Sequence, residues 1–407
     1  MSQLYSVFTL SNGLRVVFWQ TDSLVSYIGT LVNAGSRDES ETKYGLAHFV
    51  EHTLFKGTLH RKSWQVSCRM EEVGGELNAY TSKETTMVYT NAPAGYEERA
   101  VELLVDIISS SQFPKNEIDK EREVVIEEIK SYLDSPSDSV FDKFEELIYK
   151  GSGLSHNILG TPESVKKLTG EDCRNFVERF YTPGNMVMYC SSPMKAEKFL
   201  ALVEKYFGKL HFPSNPPVRL APPAIQAFNE REEAGNNQAN TIVGTRLFGR
   251  DDSRRFALFL FNNYFGGPGM NSVLNRELRE KRGYVYTVDS LVGLMSDTSL
   301  WMVYFGSDPS KVDKCRSIVI NELDRIAQSG PSPTKFEKIK RQYCGQMLVQ
   351  SDNRESRSMA LAKNMMFYNE VYDSAAVAGR IREVASEEFR EIAQLILSAG
   401  CSTLTLC

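Results

Sequence analysis

Residues 48–52 read His48-Phe49-Val50-Glu51-His52. On a helix, residues four apart stack one above the other, and a residue three on lies on the same side. His48, Glu51 and His52 therefore share one face. Two imidazoles and a carboxylate so arranged suit a tetrahedral zinc site with an open position. The fold must then supply a helix here and bring a further ligand from elsewhere in the chain. The order His-x-x-Glu-His reverses His-Glu-x-x-His, where two His hold the metal and the Glu, not a ligand, takes a proton from water. The chain has five histidines, too few for this spacing to reflect abundance. His60, His156 and His211 lie outside ligand spacing and read as structural or solvated.

The further ligand is sought on the helix expected over residues 115–133. At about 100° per residue, Ile118, Val125, Ile129 and Tyr132 form one apolar stripe. Glu121 and Glu128 fall within about 80° of its centre on the same scale. Glu123, Glu127 and Lys130 point away from it. Carboxylates on a core-facing stripe are costly unless they are paired or bind metal. Glu128 is the expected ligand, and Glu121 a second carboxylate able to hydrogen-bond a ligand. A surface helix of mixed charge is the alternative that periodicity leaves open.

Around these helices the pattern is α+β. Residues 5–18 predict a hairpin through Asn12-Gly13. Residues 27–32 and 86–90 predict strands, and Glu76 to Ser82 a strand at a sheet edge. Helices are expected at 96–109, 140–149, 162–167, 170–180 and 194–207, with a strand at 186–190. Five prolines between 213 and 223, followed by a polar run, predict a linker. After it the pattern restarts: strand 241–247, helix 254–264, helix 272–281, strands 284–288 and 299–305. Aligning Phe55 with Phe265 sets Leu258, Phe261 and Asn262 opposite His48, Glu51 and His52. The second half thus reads as a metal-free copy. Gly266-Gly267-Pro268-Gly269 is no phosphate loop, because no Gly-Lys-Ser/Thr follows and Pro lacks the N–H. Residues 401–407 carry no pattern. The expected domains are 1–215, a linker at 216–235, and 236–407.

The 407 residues exceed one ordinary core. A net charge of −5 gives no reason to expect nucleic acid or membrane as a partner. Seven cysteines without a C-x-x-C spacing suggest a reducing compartment. With no signal-like start and no transmembrane run, a cytoplasmic location is expected.

Taken together, these residues resemble the insulinase/pitrilysin family of zinc peptidases, in particular the bacterial half-length members related to mitochondrial processing peptidase. The resemblance rests on His48, Glu51 and His52, on Glu128 with Glu121 seven before it, and on Leu77-Asn78-Ala79-Tyr80-Thr81-Ser82. It also rests on Arg279 and Tyr286 within residues 278–286. It implies two homologous domains, each an antiparallel or mixed sheet packed with helices, related by duplication. It implies one zinc per chain on His48, His52 and Glu128, with Glu121 beside a ligand and Glu51 as general base. Asn78, Ala79 and Tyr80 would bind extended peptide, and Arg279 and Tyr286 would contact it near the scissile bond. The implied substrate is a peptide or unfolded polypeptide, and the implied assembly a homodimer with composite sites. The alternative within the family is a non-catalytic structural or partner subunit.

Overall fold

A computed structural model describes residues 5–210, 216–233, 235 and 238–407. The chain divides into two compact units that interleave along the sequence. The first takes residues 1–130, 156–220 and 351–373; the second takes 131–155, 221–350 and 374–407.

The first unit is built on β1 (Tyr5–Thr9), β2 (Arg15–Gln20), β3 (Val25–Val32), β4 (Glu76–Thr81), β5 (Thr86–Pro93) and β6 (Met186–Ser192). Their order across the sheet is β1-β2-β6-β3-β5-β4. β2 and β6 run parallel, and the other neighbours are antiparallel. Val16 to Trp19 are buried in succession, and all of β6 is buried. Such runs belong to a sheet covered on both faces. One face carries Val16, Phe18, Ile28, Val32 and Met188 beneath helices that include Leu46–Leu54 and Glu97–Ser110. The other carries Val17, Trp19, Leu31 and Tyr189, covered by Leu361, Ala362 and Met365 of the helix Arg354–Tyr368.

The second unit repeats the plan. Its strands are β7 (Asn229–Glu232), β8 (Ala239–Leu247), β9 (Val285–Leu294), β10 (Ser299–Ser307) and β11 (Ser402–Leu406), ordered β7-β11-β8-β10-β9. Matching β7 to β2, β8 to β3, β9 to β4, β10 to β5 and β11 to β6 reproduces both order and direction. In particular β7 and β11 are parallel, as β2 and β6 are. The helix Pro136–Ile148 packs on this sheet through Val140 and Phe144, against Ile242, Met302 and Leu404. Its counterpart in the other half is Arg354–Tyr368. Each unit therefore borrows the equivalent helix from the other half of the sequence. Two homologous α+β halves with mixed sheets are thus established.

Two segments depart from the local pattern. Asn229–Glu232, within the proline-rich and polar stretch, is the edge strand β7, and Ser402–Leu406, without apparent pattern, lies between β7 and β8. His211 and Pro213 lie outside the described residues. Residues 216–220 are held against the first unit. Arg219 grips Asp38 with two bonds, Nε–Oδ1 at 2.9 Å and Nη2–Oδ2 at 2.8 Å, and donates to Asn33 and to the Glu84 carbonyl. Both side chains are buried. Arg219→Ala would leave the buried Asp38 carboxylate without its cation, so a loss of about 3–5 kcal/mol is expected. Denaturant unfolding measures it; a loss below about 1 kcal/mol, the scale of an exposed pair, would count against this role.

Among the described residues, no helix is long and apolar enough to cross a membrane. None of the seven cysteines is paired.

Candidate metal centre

The helix Leu46–Leu54 is anchored by its apolar side: Phe49, Val50 and Leu54 are fully buried. Its start is set from a distance in sequence. Glu39, buried, accepts from the N–H groups of Gly45 at 2.8 Å and Ala47 at 2.6 Å. A carboxylate there satisfies orphan donors and opposes the helix dipole favourably. His156 Nε2 lies 3.0 Å from the same carboxylate, and its ring stacks on Tyr44 at 3.9 Å. Gly45 has φ of 91° and sits where a Cβ would meet the Leu159 carbonyl at 2.6 Å, so only glycine fits.

The helix Lys115–Leu133 brings the carboxylates. Ile118, Val125, Ile126 and Ile129 are buried and fix its rotation. Tyr132, expected on the stripe, is exposed; Ile126 takes the buried position instead. Glu121 is buried and Glu128 partly so. Glu128 Oε2 lies 3.7 Å from His48 Nε2 and 3.4 Å from His52 Nε2. The ligand atoms of these three residues all lie within 4.8 Å of one another. Donors each about 2.0–2.2 Å from a tetrahedral zinc stand roughly 3.4 Å apart, so this set fits the ion. Glu121 Oε2 is 3.2 Å from His52 Nδ1, leaving Nε2 to face the other ligands.

The electrostatics suit the same purpose. Burial, with His52 adding to it, pushes the His48 imidazole down to about 3, so the ring is neutral and its lone pair free. Glu51 is pushed upward, chiefly by burial; Thr81 and His52 pull the other way and Glu128 adds to the rise. Glu51 Oε2 and His48 Nδ1 are buried without a hydrogen-bond partner. A buried carboxylate oxygen left uncommitted beside such a donor set is placed to handle a proton.

Asn78, Ala79 and Tyr80 lie on β4, the last strand of its sheet, which among the described residues pairs with β5 alone. Leu77 and Ala79 face the core beneath the Leu46–Leu54 helix. Tyr80 turns to the opposite face, 6.3 Å from the Tyr89 ring and under Lys363. Arg279 and Tyr286 belong to the second unit, and both are exposed. Arg279 lies on a π-helical turn, Asn275–Glu280. Burial would raise the Glu277 carboxyl, but Lys281, Arg282 and Arg276 overcome this and hold it down at about 2. Leu258 and Phe261, opposite His48 and Glu51, are fully buried, and Asn262, opposite His52, bonds Ser290. At these positions the second unit has core residues and a structural hydrogen bond.

Two family models match the chain. The model described as "Insulinase (Peptidase family M16)" matches residues 15–162, and "Peptidase M16 inactive domain" matches residues 167–343. An uncharacterized zinc protease of Streptomyces coelicolor is 32% identical over 397 residues, covering 96% of this chain and 86% of that protein. The chain belongs to the insulinase family of peptidases, M16. Another M16 relative is the mitochondrial-processing peptidase subunit beta of Bos taurus, 28% identical over 396 residues, covering 94% of this chain and 80% of that protein. In fold, this M16 chain is similar to a protease from Helicobacter pylori, with a TM-score of 0.90, 21% identity and 99% of each chain covered.

Three features of the M16 site escape a motif-based view. Glu39 and His156 come together only in the fold and have no local signal. Thr81, beside Glu51, ends the strand that carries Asn78. Lys56 follows His52 by four residues, a helical spacing that could have flagged it.

Proposed function

We propose that this M16 chain is a zinc-dependent endopeptidase of peptides and unfolded polypeptide segments, with one zinc per chain. Support comes from one observation above all: His48, His52 and Glu128 converge within ligand distance beside Glu51, whose Oε2 is buried and uncommitted. His48, His52 and Glu128 would hold the ion. Bound zinc would acidify water and polarise the peptide carbonyl. Glu51 accepts the proton of the attacking water and returns it to the leaving amine. The main chain of Asn78, Ala79 and Tyr80, at the open edge of β4, offers an extended peptide a strand partner without reading its sequence. Folded proteins cannot add a strand in this way and would be spared. Arg279 and Tyr286 would steady the oxyanion and the substrate near the scissile bond. By resemblance to relatives that carry four domains in one chain, these two come from the second copy in a homodimer. The unpaired cysteines accord with work in the cytoplasm.

The first test is metal. Purified protein should carry about one zinc per chain. Peptide hydrolysis should vanish with chelator and return with zinc. Glu128→Gln removes a ligand, and zinc affinity should fall by more than the roughly 10–100-fold typical of losing an outer partner. Wild-type zinc affinity in Glu128→Gln would remove it from the ligand set. Zinc retained without hydrolysis of any unfolded peptide would favour the non-catalytic partner subunit.

A further inference from the structure

We propose that Lys56 is a positioning residue for the metal centre, holding Glu121 so that Glu121 fixes the orientation of His52. The inference rests on His48, His52 and Glu128 being a zinc site. Lys56 Nζ lies 2.6 Å from Glu121 Oε1, while Glu121 Oε2 lies 3.2 Å from His52 Nδ1. One carboxylate thus joins an ammonium to an imidazole, each through its own oxygen. Glu121 is mostly buried, with 11% of its side chain exposed. Lys56 sits just past the helix that carries His52, its N–H donating to Thr53 O at 3.1 Å. Its side chain therefore starts one turn beyond His52 and reaches the carboxylate without leaving the site.

The chemistry calls for such a cation. Glu51, Glu121 and Glu128 surround two imidazoles. Among the described residues, Lys56 is the Lys or Arg ion-paired with a carboxylate of this group. With Oε1 released, Glu121 would be free to change rotamer, and repulsion from its acidic neighbours would favour that. His52 would then lose the acceptor that keeps its proton on Nδ1 and its Nε2 lone pair on the ligand side. Lys56 acts through Glu121 alone and touches neither His52 nor the reacting groups.

Zinc dissociation constants, measured by competition with a chromogenic chelator, test this. Lys56→Met keeps the alkyl stem and removes the charge; zinc should bind about 10–100-fold more weakly. Lys56→Arg should recover most of the affinity. Glu121→Gln should weaken zinc similarly, and the double variant should be no weaker than Glu121→Gln alone, because the two act in series. Glu121 is only 11% exposed, so Lys56→Met should also melt somewhat lower without metal, and zinc affinities are compared where both metal-free forms are folded. Lys56→Gln provides a second charge-free variant if Lys56→Met folds poorly. Zinc affinity of Lys56→Met or Lys56→Gln within about twofold of wild type overturns the inference, as do additive losses in the double variant. Failure of the wild type itself to bind stoichiometric zinc overturns the zinc site instead, and Lys56's role with it.

Discussion

Glu51→Gln is expected to bind zinc as wild type does and to lose about 10²–10⁴-fold in kcat, the usual worth of a positioned general base. The substitution keeps the shape of the side chain and its place beside Thr81. It removes only the capacity to take a proton. Glu128 approaches both imidazoles, while Glu51 Oε2 is buried and unpartnered. Zinc content and affinity should therefore hold while turnover falls, and KM should change little if peptide binding depends on β4. Glu128→Gln should do the reverse, losing metal first. Hydrolysis of an unfolded peptide by Glu51→Gln at the wild-type rate, with zinc bound, would show that another group carries the proton.

The helix of the candidate centre is legible in sequence because its information is local. His48, Glu51 and His52 are separated by fixed helical offsets, and those offsets survive folding. Glu121 and Glu128 could be found for the same reason, from their angle to an apolar stripe. The stripe differs at one end, where Tyr132 is exposed and Ile126 buried. With that rotation Glu121 is buried and Glu128 half-exposed beside the imidazoles. Features fixed by tertiary packing were not legible. β11 is a five-residue Ser-Thr-Leu-Thr-Leu segment whose place between β7 and β8 depends on partners about 160 residues away along the chain. β7 hides in polar sequence, all four of its residues exposed. The exchanged helices Pro136–Ile148 and Arg354–Tyr368 are amphipathic, but periodicity cannot say which sheet they cover. Tyr80 illustrates the same limit: period-two alternation puts it opposite Ala79 in facing, yet only the fold shows that its face belongs to the Arg354–Tyr368 helix.

Mixing two inactive variants should restore activity if the site is shared between copies of the chain. Glu51→Gln and Arg279→Ala, each as a homodimer, are both expected to be nearly inactive, the first for want of a base and the second for want of an oxyanion contact. A two-fold dimer has two equivalent composite sites. In a heterodimer of these variants, one site receives both defects and the other receives neither. Random exchange at equal amounts gives half heterodimers, each with one intact site of two, so recovery should approach about a quarter of wild-type activity. A site formed within one chain behaves differently, since every site of every dimer then keeps one defect and nothing returns. The measurement pairs native mass spectrometry, to follow subunit exchange, with hydrolysis of an unfolded peptide. Exchange confirmed by mass with no recovered activity would exclude sharing in this form. Recovery near the expected fraction would assign His48, Glu51, His52 and Glu128 to one copy, and Arg279 and Tyr286 to the other.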